Sequence, residues 1–340
     1  MNTRIKIALS ICGLLLLACI LYYRSSICDC KNRISYKTID VNNEMALSDI
    51  YAPSTNEELS NIVNSWNDFS SQSDYYMIVN KSAYYYERVL VVIRHFKDET
   101  KHYGAVILPS NYDASKSYPA LLWANGLDQS NPVVDIQNFG PLYKRLQNYF
   151  IIIPSYRGQA LVANGRRYCS DGFFGDAFDG ATDDALRLLE VAKTEYNAID
   201  QKRIVVSGAS RGGTVALLMG IRDNSINAVI SMAAPTDFFS KKMYNRYEKQ
   251  YKYQFLSKKA PLKEIRAKMI KSSPIHFIEN YPNHLLLIHG KNDKVVPVSH
   301  AKQIIERLNE KENFEYRIVN EGHSINYETE HIFKWLRSHN

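Results

Sequence analysis

The stretch Arg203-Ile204-Val205-Val206-Ser207-Gly208-Ala209-Ser210-Arg211-Gly212-Gly213 sets a β-branched run ahead of a G-x-S-x-G-G turn and an apolar helical pattern behind it. The spacing has a chemical reason. A serine on a sharp strand-to-helix turn has its hydroxyl pushed out of the sheet. Gly208 and Gly212 remove the side chains that would collide where strand and helix close together. The hydroxyl then lies at a helix N-terminus, whose partial positive charge favours a developing oxyanion. The backbone N–H of Arg211 becomes one oxyanion donor. A bare five-residue match is common by chance; a strand before it and a helix after it make it specific.

Outward from this turn, apolar strands alternate with helical patterns. Strands are expected at Ala120–Ala124, Phe150–Pro154, Arg203–Ser207, Ala228–Ala233, Leu285–His289 and Phe314–Val319. Helices are expected near Ile136–Asn148, Thr182–Thr194, Arg211–Ile221, Ser299–Leu308 and Tyr327–Ser338. Short, fully apolar strands suit a sheet covered on both faces, and the alternation implies parallel pairing with right-handed crossovers. Ahead of it, Arg88–Phe96 and Tyr103–Pro109 flank Lys97-Asp98-Glu99-Thr100 as an antiparallel hairpin. A hairpin leading into such a sheet is the α/β-hydrolase arrangement: a mostly parallel central sheet with helices on both faces.

That fold assigns places to two further residues. Leu285–His289 leads into a turn carrying Asp293, and Phe314–Val319 leads into Gly322-His323. The order Ser210, Asp293, His323 is that of a nucleophile, an orienting acid and a base. His289 reads as structural, and Asp183 and Asp184, at a helix start, read as caps.

The stretch at about 238–274 breaks the alternation. Tyr244, Tyr247 and Tyr251 recur at helical spacing, and the segment is rich in Lys and Arg with only Glu248 and Glu264 to oppose them. It is expected to be a helical cap over the site, controlling substrate entry. A solvated charged face is the alternative.

From about Arg88 to the C-terminus the chain resembles the catalytic domain of the prolyl oligopeptidase family. The resemblance rests on Tyr118-Pro119, Tyr156-Arg157-Gly158, Asp200 to Arg203, Gly208–Gly213, Ser273-Pro274, Gly290–Pro297 and Gly322-His323. It implies serine-type peptidase activity through an acyl-enzyme. Two departures favour a carboxylesterase or broader acyl hydrolase. Fewer than a hundred residues precede the domain, too few for the family's β-propeller. Where members often carry His-Gly-Gly or a tyrosine donor, this chain has Ala124-Asn125-Gly126-Leu127, which makes the N–H of Leu127 the expected second oxyanion donor. A non-catalytic hydrolase-fold binding protein is the reading of another class.

The first residues form a separate unit. Arg4 and Lys6 precede an apolar run from Ile7 to Tyr23, closed by Arg24. The run would span roughly 25 Å, the short end of a bilayer crossing. It is expected to be a membrane anchor or export signal over 1–24; Leu16-Leu17-Ala18-Cys19 also admits lipidation at Cys19. The catalytic part is expected outside the cytoplasm. Residues 25–83 read as a linker with one helix near Asn56–Phe69, capped by Ser54 or Thr55, and 84–340 as the hydrolase domain. The net charge of +7 is mild, and no zinc-finger or RNA-binding pattern is present, so nucleic acid is not an expected partner. Five cysteines, among them Cys12, Cys28, Cys30 and Cys169, do not make a disulfide scaffold, and no metal or organic cofactor is expected.

Overall fold

The computed structural model describes residues 12–17, 33–34, 50–128, 132–139, 144–239, 241–256, 260–326 and 328–339. Its centre is a nine-stranded sheet. In chain order the strands are β1 (Tyr75–Tyr84), β2 (Arg88–Lys97), β3 (Thr100–Ile107), β4 (Tyr118–Ala124) and β5 (Phe150–Ser155), then β6 (Ile199–Ala209), β7 (Ala228–Met232), β8 (His284–Gly290) and β9 (Phe314–Val319). Their spatial order is β9-β8-β7-β6-β4-β5-β3-β2-β1. β4 to β9 pair in parallel, and β1, β2 and β3 add on antiparallel beyond β5.

The central parallel strands are apolar where both faces are covered, whereas edge strand β9 leaves Glu315, Tyr316 and Arg317 exposed. One face packs on helices α2 (Asp179–Glu195), α3 (Arg211–Arg222) and α6 (Ser299–Leu308), with Leu188, Leu189, Val215, Met219 and Ile304 buried against Val206 and Leu287. The other packs on α7 (Thr329–Ser338) through Phe333, Trp335 and Leu336, together with Leu146 and Ile136. Helix α1 (Asn56–Asn67) starts at a capping box: Thr55 accepts from Glu58 N–H, and the Glu58 carboxylate accepts from Thr55 N–H. The 238–274 stretch is helical, with α4 (Lys241–Tyr251), a π-turn at Lys252–Leu256 and α5 (Leu262–Lys271).

Several expectations need correction. The sheet takes in Tyr75–Tyr84, so the ordered domain reaches back past residue 84. That strand is an edge with no position fully buried, and Asn80, Lys81 and Ser82 interrupt its pattern so that it reads as linker. Of the helix expected over Ile136–Asn148, a 3-10 turn at Ile136–Phe139 and helical residues at 144–145 are present, with 140–143 outside the description. A small sheet of Val133–Asp135, Ala160–Ala163 and Arg166–Cys169 was not expected. Asp183 and Asp184 cap nothing: α2 begins at Asp179, and Asp184 is buried in an ion pair with Arg157. The basic stretch is also less open than its own acids suggest. Arg266 pairs with Glu58, and Lys268 with Asp176 and Asp179, all from outside the stretch.

Residues 12–17 are helical, with Leu14 to Leu17 exposed. Among the described residues no helix is long and apolar enough to cross a membrane. The rest of the expected anchor, including Cys19, lies outside them. Cys12 is free, whereas Cys169 is disulfide-bonded.

Candidate active site

The chain passes from β4 to β5 on one side, then returns to lay β6 on the other side of β4. This is a topological switch point, where the segments leaving the carboxyl ends of neighbouring strands diverge and leave a crevice. The segment after β4 is Asn125-Gly126-Leu127, and the residue after β6 is Ser210. Ser210 has φ 55° and ψ −125°, a conformation that costs a residue with a Cβ about 1–3 kcal/mol. It persists because its surroundings hold it. The Ser210 N–H donates to Met232 O at 2.8 Å, and its carbonyl accepts from Gly213 N–H at 2.9 Å. A side chain at Gly208 would run into Gly212, and one at Gly212 into the Ala124 carbonyl. These are the roles the turn's two glycines were expected to have.

Asp293 follows β8 in a tight turn. Its Oδ1 accepts from the N–H groups of Val295 and Val296 at 2.7 and 2.8 Å, and its Oδ2 accepts from His323 Nδ1 at 2.8 Å. Burial opposes the charged carboxylate, but donors at His289, His323 and the Val296 N–H hold Asp293 well below the usual carboxylate range. His323 is a quarter exposed, so its ring has one edge on a buried carboxylate and part of its surface open to solvent. The turn and the histidine loop are stitched together by backbone: Lys291 N–H donates to Val319 O and Asn292 N–H to Glu321 O. Gly290 lets them approach, since a side chain there would meet the Gly322 carbonyl.

Two supports were not legible in the sequence. His289, expected as structural, is fully buried beside the acid, its Nε2 donating to Val296 O at 3.0 Å and lying 3.5 Å from Asp293 Oδ2. Tyr247, in the cap, donates its hydroxyl to Val295 O at 2.7 Å, at a kink in α4 where its φ is −122° and ψ 34°. Its position in a basic helix signalled packing but not a bond to the acid turn. Tyr244, Tyr247 and Tyr251 therefore do not share one unbroken helical face; Tyr251 is buried and Tyr247 half-buried.

A narrow cavity of about 60 Å³ opens beside Ser210, walled by Leu127, Pro235, Tyr247, Tyr251 and Val296. A larger one of about 560 Å³ lies behind Gln254 and Phe255, lined by Arg157, Asp176, Asp183 and Lys268. Ser210, Asp293 and His323 do not line it, and its ionic groups are engaged with one another. Among the described residues no cluster of His, Cys, Asp and Glu could hold a metal ion. A half-buried serine at a helix N-terminus and an Asp-bound imidazole are the groups that proton-assisted acyl transfer uses.

Residues 138–340 match the model of the prolyl oligopeptidase family. Dipeptidyl-peptidase 5 of Porphyromonas endodontalis is 27% identical over 197 residues, covering 55% of this chain and 27% of that protein. The chain thus matches about a quarter of that relative's length. Acetyl xylan esterase 1 from Thermoanaerobacterium sp. superposes with a TM-score of 0.62 at 13% identity, over 87% of this chain and 99% of the esterase. Porphyromonas gingivalis dipeptidyl peptidase 4 gives 0.54 at 16% identity, over 78% of this chain and 42% of that one. At such identities the superpositions speak for the α/β-hydrolase fold.

Proposed function

The chain belongs to the prolyl oligopeptidase family, and from that membership we propose that it is a serine hydrolase cleaving small acyl groups through an acyl-enzyme. The observation that carries this is the strained Ser210 turn, with the Asp293–His323 pair reaching the same end of the sheet. In the proposed reaction His323 takes the Ser210 proton as Oγ attacks the carbonyl carbon. The N–H groups of Arg211 and Leu127 receive the oxyanion. His323 then protonates the leaving group, and water repeats the sequence to release the acid. Asp293 holds the imidazole in the tautomer that can accept at Nε2 and stabilises the imidazolium.

The cavity size favours the ester over the peptide. Sites for larger ligands enclose roughly 300–1,000 Å³, whereas about 60 Å³ beside Ser210 suits a short acyl chain. Peptide cleavage is the second reading, favoured by the family and by its dipeptidyl-peptidase members. Fluorophosphonate labelling, followed by p-nitrophenyl esters of graded length beside aminoacyl and prolyl amides, tests both. Wild type should label and Ser210→Ala should not, and acetate should exceed longer esters and amides in kcat/KM. An unlabelled wild type would make the chain a binding protein; amides hydrolysed faster than acetate would restore the peptidase.

The site also bears on location. We propose that the domain works outside the cytoplasm, tethered or exported by its N-terminal segment. The Cys169 disulfide supports this, because such bonds persist in oxidising compartments. Alkylation of intact cells' proteins before reduction should leave Cys169 unmodified; a fully reduced Cys169 on the native protein would overturn the placement.

A further inference from the structure

Arg211 follows the nucleophile, and only its N–H has a role in the reaction proposed above. Its side chain is nevertheless almost completely buried. The guanidinium runs back beneath the segment leaving β4, donating from Nε to Asn125 O at 3.1 Å and from Nη2 to Gly126 O at 2.6 Å. It lies over the Tyr156 ring, 4.7 Å from the centroid, and 6.0 Å from that of Phe174. The Tyr156 hydroxyl accepts from Asn125 N–H at 3.0 Å, and Asn125 Nδ2 donates to Pro154 O at 2.6 Å. No carboxylate among the described residues pairs with Arg211. A buried, uncompensated cation is costly, and burial pulls this one down to about 10.

The peptide planes explain what the cation holds. None of the described peptides is cis. In a trans peptide the carbonyl and the following N–H point in opposite directions. The Asn125 and Gly126 carbonyls both aim at one guanidinium, so the N–H groups of Gly126 and Leu127 both aim away from it. Two successive N–H groups turned the same way form an anion-binding nest. Neither has an acceptor among the described residues, nor has the Arg211 N–H. Leu127 lines the cavity beside Ser210.

We infer that the Arg211 side chain is a positioning residue that builds the oxyanion hole: by gripping the Asn125 and Gly126 carbonyls it turns the Leu127 N–H toward the reacting carbonyl. One residue then serves the oxyanion twice, through its own N–H and through the orientation it imposes on the facing loop. The inference rests on the serine hydrolase reading, and the two can fail separately.

The test uses the full chain with Arg211→Met, Arg211→Lys and Arg211→Ala. Arg211→Met should lower kcat by ~10²–10³-fold, the scale of one lost oxyanion donor, with little change in KM. Arg211→Lys keeps the charge but lacks the fork that spans two carbonyls, so it should fold and still lose most of the rate. In Arg211→Ala, guanidinium ion below denaturing concentration should restore part of kcat, and equal sodium chloride should not. A purely structural role would lower the melting temperature while folded molecules turned over normally and guanidinium did nothing; that result, or a wild-type rate in Arg211→Lys, overturns the inference. If wild type itself fails to take up fluorophosphonate, the hydrolase reading fails instead.

Discussion

Two arginines meet the Tyr156 turn, and they are satisfied in opposite ways. Arg157 is surrounded by carboxylates: Nε and Nη2 donate to Asp184 at 3.0 and 2.9 Å, and Nη1 to Asp176 at 2.6 Å. Arg211 touches only carbonyls and aromatic rings. Burial opposes both charges; Asp184 and Asp176 more than offset it at Arg157, which is held above the usual guanidinium range, while at Arg211 the value drops. The contrast shows what each partner type achieves. Carboxylates cancel the charge and fasten β5 to α2, so that region holds the fold together. Carbonyls leave the charge standing and fix peptide orientation, so that region shapes backbone donors at the cleft.

If this division is right, substitutions on the Ser210 side should cost rate and those on the Arg157 side should cost stability. The largest effect is expected for Asp293→Asn, which should lower kcat by about 10⁴-fold through the wrong His323 tautomer. The melting temperature should stay close to wild type, because the Val295 and Val296 N–H groups still find an oxygen. A mild loss of rate would move the acid role elsewhere, with Asp237 next to be tried.

Arg157→Met should do the reverse. Removing one partner of a buried pair leaves Asp184 with only Arg187 at 3.9 Å as a standing cation and costs up to about 3–5 kcal/mol, read as a lower urea midpoint. Turnover per folded molecule should hold. A selective loss of kcat at unchanged midpoint would abolish the distinction between the two arginines.

Acid should act through the same structural region. His95 and His102 stack beside Asp184, with Arg157 and Arg187 near, and burial pushes His95 from 6.5 down to about 3. Outside that region His300, buried under Thr236 near His289 and Asp293, falls to about 4 for the same reason. In that window the unfolded chain binds more protons than the folded one, so stability falls as pH drops from ~6.5 and levels off below the folded values. Melting temperatures should therefore decline from ~pH 7 to ~pH 5, and His95→Gln should flatten the slope. A wild-type profile already flat over that range would show that these rings are not buried neutral.

The smallest effect is expected at Tyr247→Phe, which deletes one hydrogen bond between the cap and the acid turn, worth about 1 kcal/mol. It should alter relative kcat/KM between short and long esters more than it alters stability. Identical ester preference in the variant would make the cap packing only.

Local pattern accounts for much of what is seen. The β6 turn, the turn carrying Asp293 after β8 and the loop carrying His323 after β9 were legible because each lies where a strand ends, and period and turn chemistry are local properties. Edge strand β1 was not, since its partly polar face carries no clear alternation. Asp183 and Asp184 were misread as caps because spacing cannot tell an N-terminal carboxylate from one facing an arginine 27 residues away.

The chain's own order of residues thus determined the parallel strands, the nucleophile turn and the order Ser210, Asp293, His323. Only the tertiary structure decided which groups support them. His289 beneath Asp293, Gly290 against Gly322, Tyr247 on Val295 and Arg211 beneath Asn125 and Gly126 all join segments that periodicity treats as independent. Sequence spacing records what one segment can become by itself, whereas a buried donor is satisfied by whatever acceptor the packed fold brings to it.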